Sequence, residues 1–266
     1  MLRRACVAGQ FYPGGAKELQ EEVRGFIKEE AREKATALIA PHAGYIYSGS
    51  VAGAVYSAVD IPDDVVLLGP NHTGLGARAS VMTEGEWEIP TGTVGINTEL
   101  AGMIAGSTRL FSPDTSAHLN EHSLEVQLPF IHCLNRGARF VPITVMQADL
   151  DECIEMGNAL AGVIKDYGRE VLIAVSSDMN HYESDKRTRE KDKLAIDQVL
   201  SLDARGLLEV TARKDITMCG VFPAAIAIIA ARALGASRAR LIKYATSGET
   251  SGDYDHVVGY AGIVIS

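Results

Sequence analysis

The chain has 266 residues, 47% of them hydrophobic, and a formal net charge of −9. That suits one large α/β domain, residues 1–266, with a core on both faces of a sheet. No cluster of Lys and Arg is long enough to follow a phosphate backbone, which disfavours nucleic acid; the longest apolar run, Val221 to Ala230, is too short to span a membrane and contains Pro223.

A turn, Phe11-Tyr12-Pro13-Gly14-Gly15, opens the chain. Glu18 to Glu30 spaces Leu19, Val23, Phe26 and Ile27 as one helical face. Thr36 to Ala40 reads as a strand leading into Pro41-His42, and Ser48 to Val59 as a helix of small residues. Val65 to Leu68 is a continuous apolar run, as in a strand buried on both faces. Gly69 to Arg78 is a loop holding His72, Ala79 to Thr83 a strand, and Glu86 to Val94 a short hairpin off the main sheet. Asn97 caps a helix running to Ile104, and Phe111 to Asn120 is irregular. Glu121 to Leu134 reads as one helix, kinked near Glu125 by Pro129. Arg139 to Met146 is a strand interrupted by Pro142. A helix from Leu150 to Tyr167 leads to a buried strand, Glu170 to Val175, and then to the polar loop Ser176 to Tyr182. Helices follow at Lys186–Leu200, Asp203–Ala212 and Val221–Leu234, then strands at Arg240–Thr246 and Val257–Ile265 around a loop, Ser247 to Asp255. The alternation implies an α/β/α sandwich, three layers with a mostly parallel or mixed central sheet.

The cysteines Cys6, Cys133, Cys153 and Cys219 are scattered, with no C-x-x-C pair. They read as thiols of a reducing cytosol, and no apolar stretch at the N-terminus suits a signal peptide, so the expected location is cytoplasmic. His42, His72 and the Asp178/His181 pair each follow a buried strand, and Cys219 precedes a helix. Strand ends on one edge of a sheet converge, so these residues are candidates for one metal site. A helix N-terminus would favour the Cys219 thiolate. Asp178, three residues before His181, either orients its imidazole for acid–base work or caps backbone amides. His122 and Glu125 share a face of the expected helix, either facing a ligand or facing water. Tyr45 either lines the pocket mouth or packs beneath the turn. Ser177 lacks a G-x-S-x-G elbow, and the G-x-G-x-x-G and Walker A phosphate loops are absent.

Five segments, in order, resemble the Memo family: Pro41-His42-Ala43-Gly44-Tyr45, Gly69-Pro70-Asn71-His72, Glu121 to Phe130, Ser176 to Tyr182, and Cys219-Gly220. Gly9-Gln10-Phe11-Tyr12-Pro13 is similar to that family's opening. The family is similar in fold to LigB-type extradiol dioxygenases, non-haem iron enzymes. The resemblance implies metal ligands at His42, His72 and Cys219, the cysteine standing where the dioxygenases have a glutamate. It implies an acid–base residue at His181 with Asp178 beside it. His122, Glu125 and Tyr45 are expected near the ligand. A thiolate softens the site, so the expected cofactor is one divalent or redox metal, iron(II) or copper favoured and zinc admissible. The expected function is a metal-binding redox protein acting on a small-molecule or peptide ligand. A non-catalytic binding module using the same cleft and a zinc-dependent hydrolase remain as alternatives. In animals the resemblance implies links to phosphotyrosine-peptide binding; in microbes, radical-SAM and AMMECR-type protein partners.

Overall fold

The computed structural model describes residues 1–29 and 31–266. In chain order the strands and helices are β1 (Leu2–Arg3), α1 (Ala16–Phe26), β2 (Ala37–Ala40), α2 (Tyr45–Ser57), β3 (Asp64–Pro70), β4 (Ala79–Val81), β5 (Glu86–Ile89), β6 (Gly92–Gly95), α3 (Thr98–Ser107) and β7 (Ser112–Pro113). Then come α4 (Leu128–Leu134), β8 (Arg139–Val145), α5 (Leu150–Tyr167), β9 (Val171–Ser176), β10 (His181–Glu183), α6 (Asp185–Leu200), α7 (Ala204–Lys214), α8 (Val221–Ala233), β11 (Ala239–Thr246), α9 (Gly248–Ser251) and β12 (Val257–Ile265). The expected helix end at Glu30 lies outside the described residues; α1 closes at Phe26.

Local signals explain several boundaries. Asn97 accepts the amide of Leu100 and starts α3. Asp149 and Glu152 form a reciprocal capping box for α5, which ends on Gly168 in the left-handed region. Helix α2 has no polar face because it is buried along most of its length. Its Gly53 lets α1 approach: a Cβ there would sit 2.6 Å from the Phe26 carbonyl oxygen.

The main sheet runs β10-β12-β2-β9-β3-β8-β4-β7, with β11 paired to β12. Its centre, β2-β9-β3-β8, is parallel; β12 and β4 flank it antiparallel. The hairpin β5–β6 joins β1 in a separate small sheet. From β2 the chain crosses through α2 to β3, passing over β9. From β8 it crosses through α5 to β9, passing over β3 in the opposite direction. Crossovers of one hand running opposite ways deposit their helices on opposite faces. Accordingly α2 lies on β2, β11 and β12 with α1 and α4, while α8 lies on β2, β3 and β9 with α5 and α7. After β9 the chain reaches α6, which packs with α7 on the α8 side, so the neighbouring strands β2 and β9 send their chains to opposite faces and open a crevice beyond their carboxyl ends. No helix among the described residues is long and apolar enough to cross a membrane.

Two expectations about proline need correction. The helix expected from Glu121 to Leu134 forms only in its second half. Glu125–Gln127 is a 3-10 turn, and α4 begins at Leu128 with Pro129 in its first turn. There a missing N–H costs nothing, so proline starts this helix instead of kinking it. Likewise β8 runs unbroken through Pro142. The Pro142 carbonyl accepts from Met82 N, just past the last residue of β4. The N–H and C=O of a strand residue point to one side, so proline here forfeits only the reciprocal bond to Met82 at the end of β4 and leaves the pairing with β3 intact.

Candidate functional site

Three histidines meet in the crevice. His42 lies just past β2, His72 just past β3, and His122 in the loop before the Glu125–Gln127 turn. One ring nitrogen of each lies within 4.8 Å of those of the other two. The rings of His72 and His122 stack at 4.8 Å, and His42 stands edge-on to both. They line a cleft of about 600 Å³ together with Phe11, Asp178, His181, Tyr182, Thr217 and Cys219.

The hydrogen bonds behind the rings decide which nitrogen faces the cleft. Ser176 Oγ donates its one proton to the Ser123 carbonyl at 2.6 Å and accepts from Gln127 Nε2 at 2.8 Å. It can then only accept from His42 Nδ1, at 2.9 Å. His42 therefore carries its proton on Nδ1 and has its lone pair on Nε2. His72 Nδ1 donates to Glu121 Oε1 at 2.9 Å, which likewise leaves Nε2 as the basic nitrogen. Burial pushes the Glu121 carboxyl up, but the hydrogen bond and charge of His72 and the Ser123 amide outweigh it, holding it at about 2. Burial, then the neighbouring His72 and His122 rings, hold His42 well below the usual imidazole range. Burial also lowers His122. Neutral imidazoles with inward lone pairs are what a metal ion requires.

Cys219 Sγ stands 3.3 Å from His42 Nε2, and the Asp178 amide approaches it at the same distance. The chain can turn here because Gly220 has no side chain; a Cβ would sit 2.7 Å from the Ser176 carbonyl oxygen. Cys219 meets His42 but lies outside the group in which every donor is within 4.8 Å of every other. The Gly220 amide at the helix start favours the Cys219 thiolate, as expected, but is outweighed. Burial, then the Asp178 carboxylate, push its thiol well above the ordinary range.

Of the two readings of Asp178, the structure shows the one in which it bonds backbone amides, and the pairing with His181 is corrected. Asp178 Oδ1 accepts the amides of His42 at 2.8 Å and Ala43 at 3.3 Å, so the carboxylate fixes the His42 turn. Its Oδ2 lies 4.0 Å from His42 Nε2. Burial raises the Asp178 carboxyl. His181 is oriented by Thr217 instead: its Nδ1 donates to the Thr217 carbonyl at 2.9 Å, and its amide donates to Thr217 Oγ1. That leaves Nε2 as the basic nitrogen of His181.

Behind this loop Asp192 is buried and accepts from the Asn180 amide and the Tyr244 hydroxyl. Burial pushes its carboxyl up to about 7, against the hydrogen bonds that lower it. A carboxyl raised on folding binds its proton more tightly in the folded state. Its contribution is therefore fully present below the unfolded value and lost as pH rises through about 7. Stability should fall between pH 4 and 7 by on the order of a few kcal/mol from this group. Urea unfolding across that range should show the slope in the wild type and a flatter line in Asp192→Asn.

A family model described as "Memo-like protein" matches residues 3–264. A MEMO1 family protein of Methanopyrus kandleri is 40% identical, with 99% of each chain covered. The chain belongs to the Memo family. Other Memo relatives include a Pyrobaculum aerophilum protein, 41% identical over 99% of this chain and 98% of its own length, and an Aquifex aeolicus protein, 42% identical over 99% and 98%. Among solved structures, an uncharacterized Escherichia coli K12 protein superposes with a TM-score of 0.53 over 86% of this chain and 99% of its own. At 11% identity that likeness shows a common α/β sandwich fold alone.

The Memo segments divide between the cleft and its support. His42, His72, His122, Asp178, His181 and Cys219 reach the cleft. Glu125 and Tyr45, expected beside the ligand, are placed elsewhere. Glu125 is fully buried and turned away from His122, accepting from Arg3, Tyr12 and the amides of Cys6 and Val7. Burial works against its ionised form, but the Arg3 charge and these donors prevail and lower its carboxyl. Tyr45 is buried beneath the turn, its hydroxyl donating to the Val126 carbonyl at 2.6 Å. Glu121, Ser176, Gln127 and Thr217, which hold the imidazoles, were not singled out from sequence. Glu121 had one local signal, an acidic residue directly before His122.

Proposed function

We propose that this Memo family protein binds one metal ion through His42, His72 and His122, with Cys219 beside it, and that the site serves redox chemistry on a ligand held in the cleft. The convergence of three imidazoles within 4.8 Å carries the reading. Their chemistry fits: two have Nδ1 committed to a fixed partner, and burial keeps His42 and His122 neutral. A metal there would supply an open coordination position for a ligand oxygen, and the neighbouring thiol favours copper or iron.

The residues around it have separable roles. Asp178 fixes the His42 turn through two amides. Glu121 holds His72 from behind by both its amide and its ring. His181, set by Thr217, offers Nε2 to the cleft and takes or returns a proton there. The cleft accepts a small molecule or the side chain of a peptide.

A second reading is hydrolytic. The all-imidazole trio favours it, because three histidines suit zinc and a bound water, with His181 as base. Anaerobic purification with metal analysis and metal reloading tests both. The proposal expects one copper or iron per chain; stoichiometric zinc with oxygen-independent hydrolysis would favour the second reading. A protein that stays metal-free after reductive loading would sink both.

A further inference from the structure

Tyr182 has a φ of 61°, in the left-handed region that bulky side chains rarely occupy. It is the extra residue of a β-bulge. His181 pairs with Val258 and Glu183 with Val257, and Tyr182 stands between them with no residue opposite. Glycine would adopt this backbone without strain. In a regular strand His181 and Tyr182 would point to opposite faces. With the bulge, both line the same cleft. Core packing does not offset the strain, because Tyr182 is 75% exposed. Strained backbone beside a site, holding an exposed ring over it, is the pattern of a residue kept for contact with a ligand.

The rest of the cleft indicates what that contact is. Phe11 also lines it, its ring 4.8 Å from that of His122, while the Tyr182 ring lies 5.6 Å from that of His181. Ala43, Gly44 and Val258 complete an apolar wall, and no lysine or arginine among the described residues lines it. Two rings and no cationic side chain suit a flat, uncharged group better than a phosphate or carboxylate. We propose that Tyr182 is a ligand-contacting residue, its ring set out by the bulge to form, with Phe11, an aromatic clamp for an uncharged planar part of the ligand. The clamp rests on the cleft assigned above but needs no metal.

The test uses the full chain, metal-free, with 2-naphthol as an uncharged planar probe followed by its fluorescence. Tyr182→Gly should bind it about tenfold more weakly than the wild type, the size of one lost ring–ring contact. Tyr182→Phe should bind within about twofold. The melting temperature of Tyr182→Gly should equal or exceed that of the wild type, because glycine relieves the strained backbone. Three results would overturn the clamp: no naphthol binding by the wild type, equal binding by Tyr182→Gly, or a melting temperature about 4 °C or more below the wild type. Because every arm is metal-free, a failed metal titration leaves the clamp standing, and a failed clamp leaves the metal site standing.

Discussion

His42→Ala is expected to abolish stoichiometric metal uptake, with affinity lower by more than about 100-fold. Removing a group that merely orients a metal-bound histidine typically costs about 10–100-fold; removing a donor itself should cost more. His42 is in ring contact with both His72 and His122 and is the donor adjacent to Cys219. The fold should survive. Ser176 Oγ keeps its bonds to the Ser123 carbonyl and Gln127, so the stability loss should stay near about 1 kcal/mol. Ser176→Ala supplies the graded comparison, an expected loss of about 10–100-fold in affinity with the donors intact. Metal content by mass spectrometry of the native protein, beside urea unfolding, separates the two effects. Unchanged uptake in His42→Ala would remove the basis for the site.

Glu125→Ala should destabilise the protein by about 3–5 kcal/mol, the cost of leaving one member of a buried ion pair alone. Arg3 is 1% exposed and Glu125 0%. The carboxylate also satisfies the amides of Cys6 and Val7 and the Tyr12 hydroxyl, so its loss strands several donors at once. The same guanidinium donates to the His118 and Glu121 carbonyls and lies over the Trp87 ring. Through it the N-terminal segment is strapped beneath the loop that carries Glu121 and His122. Because the folded carboxyl is lowered, its contribution is present above the unfolded value of about 4.3 and is lost as pH falls through the folded value. Acid unfolding of the wild type should therefore be steeper than that of Glu125→Ala. A loss below about 1 kcal/mol would show that the strap is dispensable.

What the sequence made legible follows from which signals are local. Helix α5 and strand β12 have the expected limits because a capping box, a terminal glycine and an unbroken apolar run announce them. The cleft positions of His42 and His72 follow from strand ends, a backbone property. The segment from Glu121 to Leu134 misled because its apolar spacing continues through a 3-10 turn, and because proline at a helix start looks the same in sequence as proline inside one. Glu125 and Tyr45 were placed at the ligand, yet their partners, Arg3 and the Val126 carbonyl, come from segments that only tertiary packing brings there. Burial is likewise non-local. It raises the Cys219 thiol against the pull of its helix, and it turns Glu121 into the anchor of His72.

The most direct measurement is an anaerobic cobalt(II) titration of the wild type, His122→Ala and Cys219→Ala, followed by absorption. The account predicts one tight site in the wild type, lost in His122→Ala and retained in Cys219→Ala, because the mutually close donors are His42, His72 and His122. Tight binding that persists in His122→Ala but disappears, with its sulfur-to-metal charge-transfer band, in Cys219→Ala would contradict it.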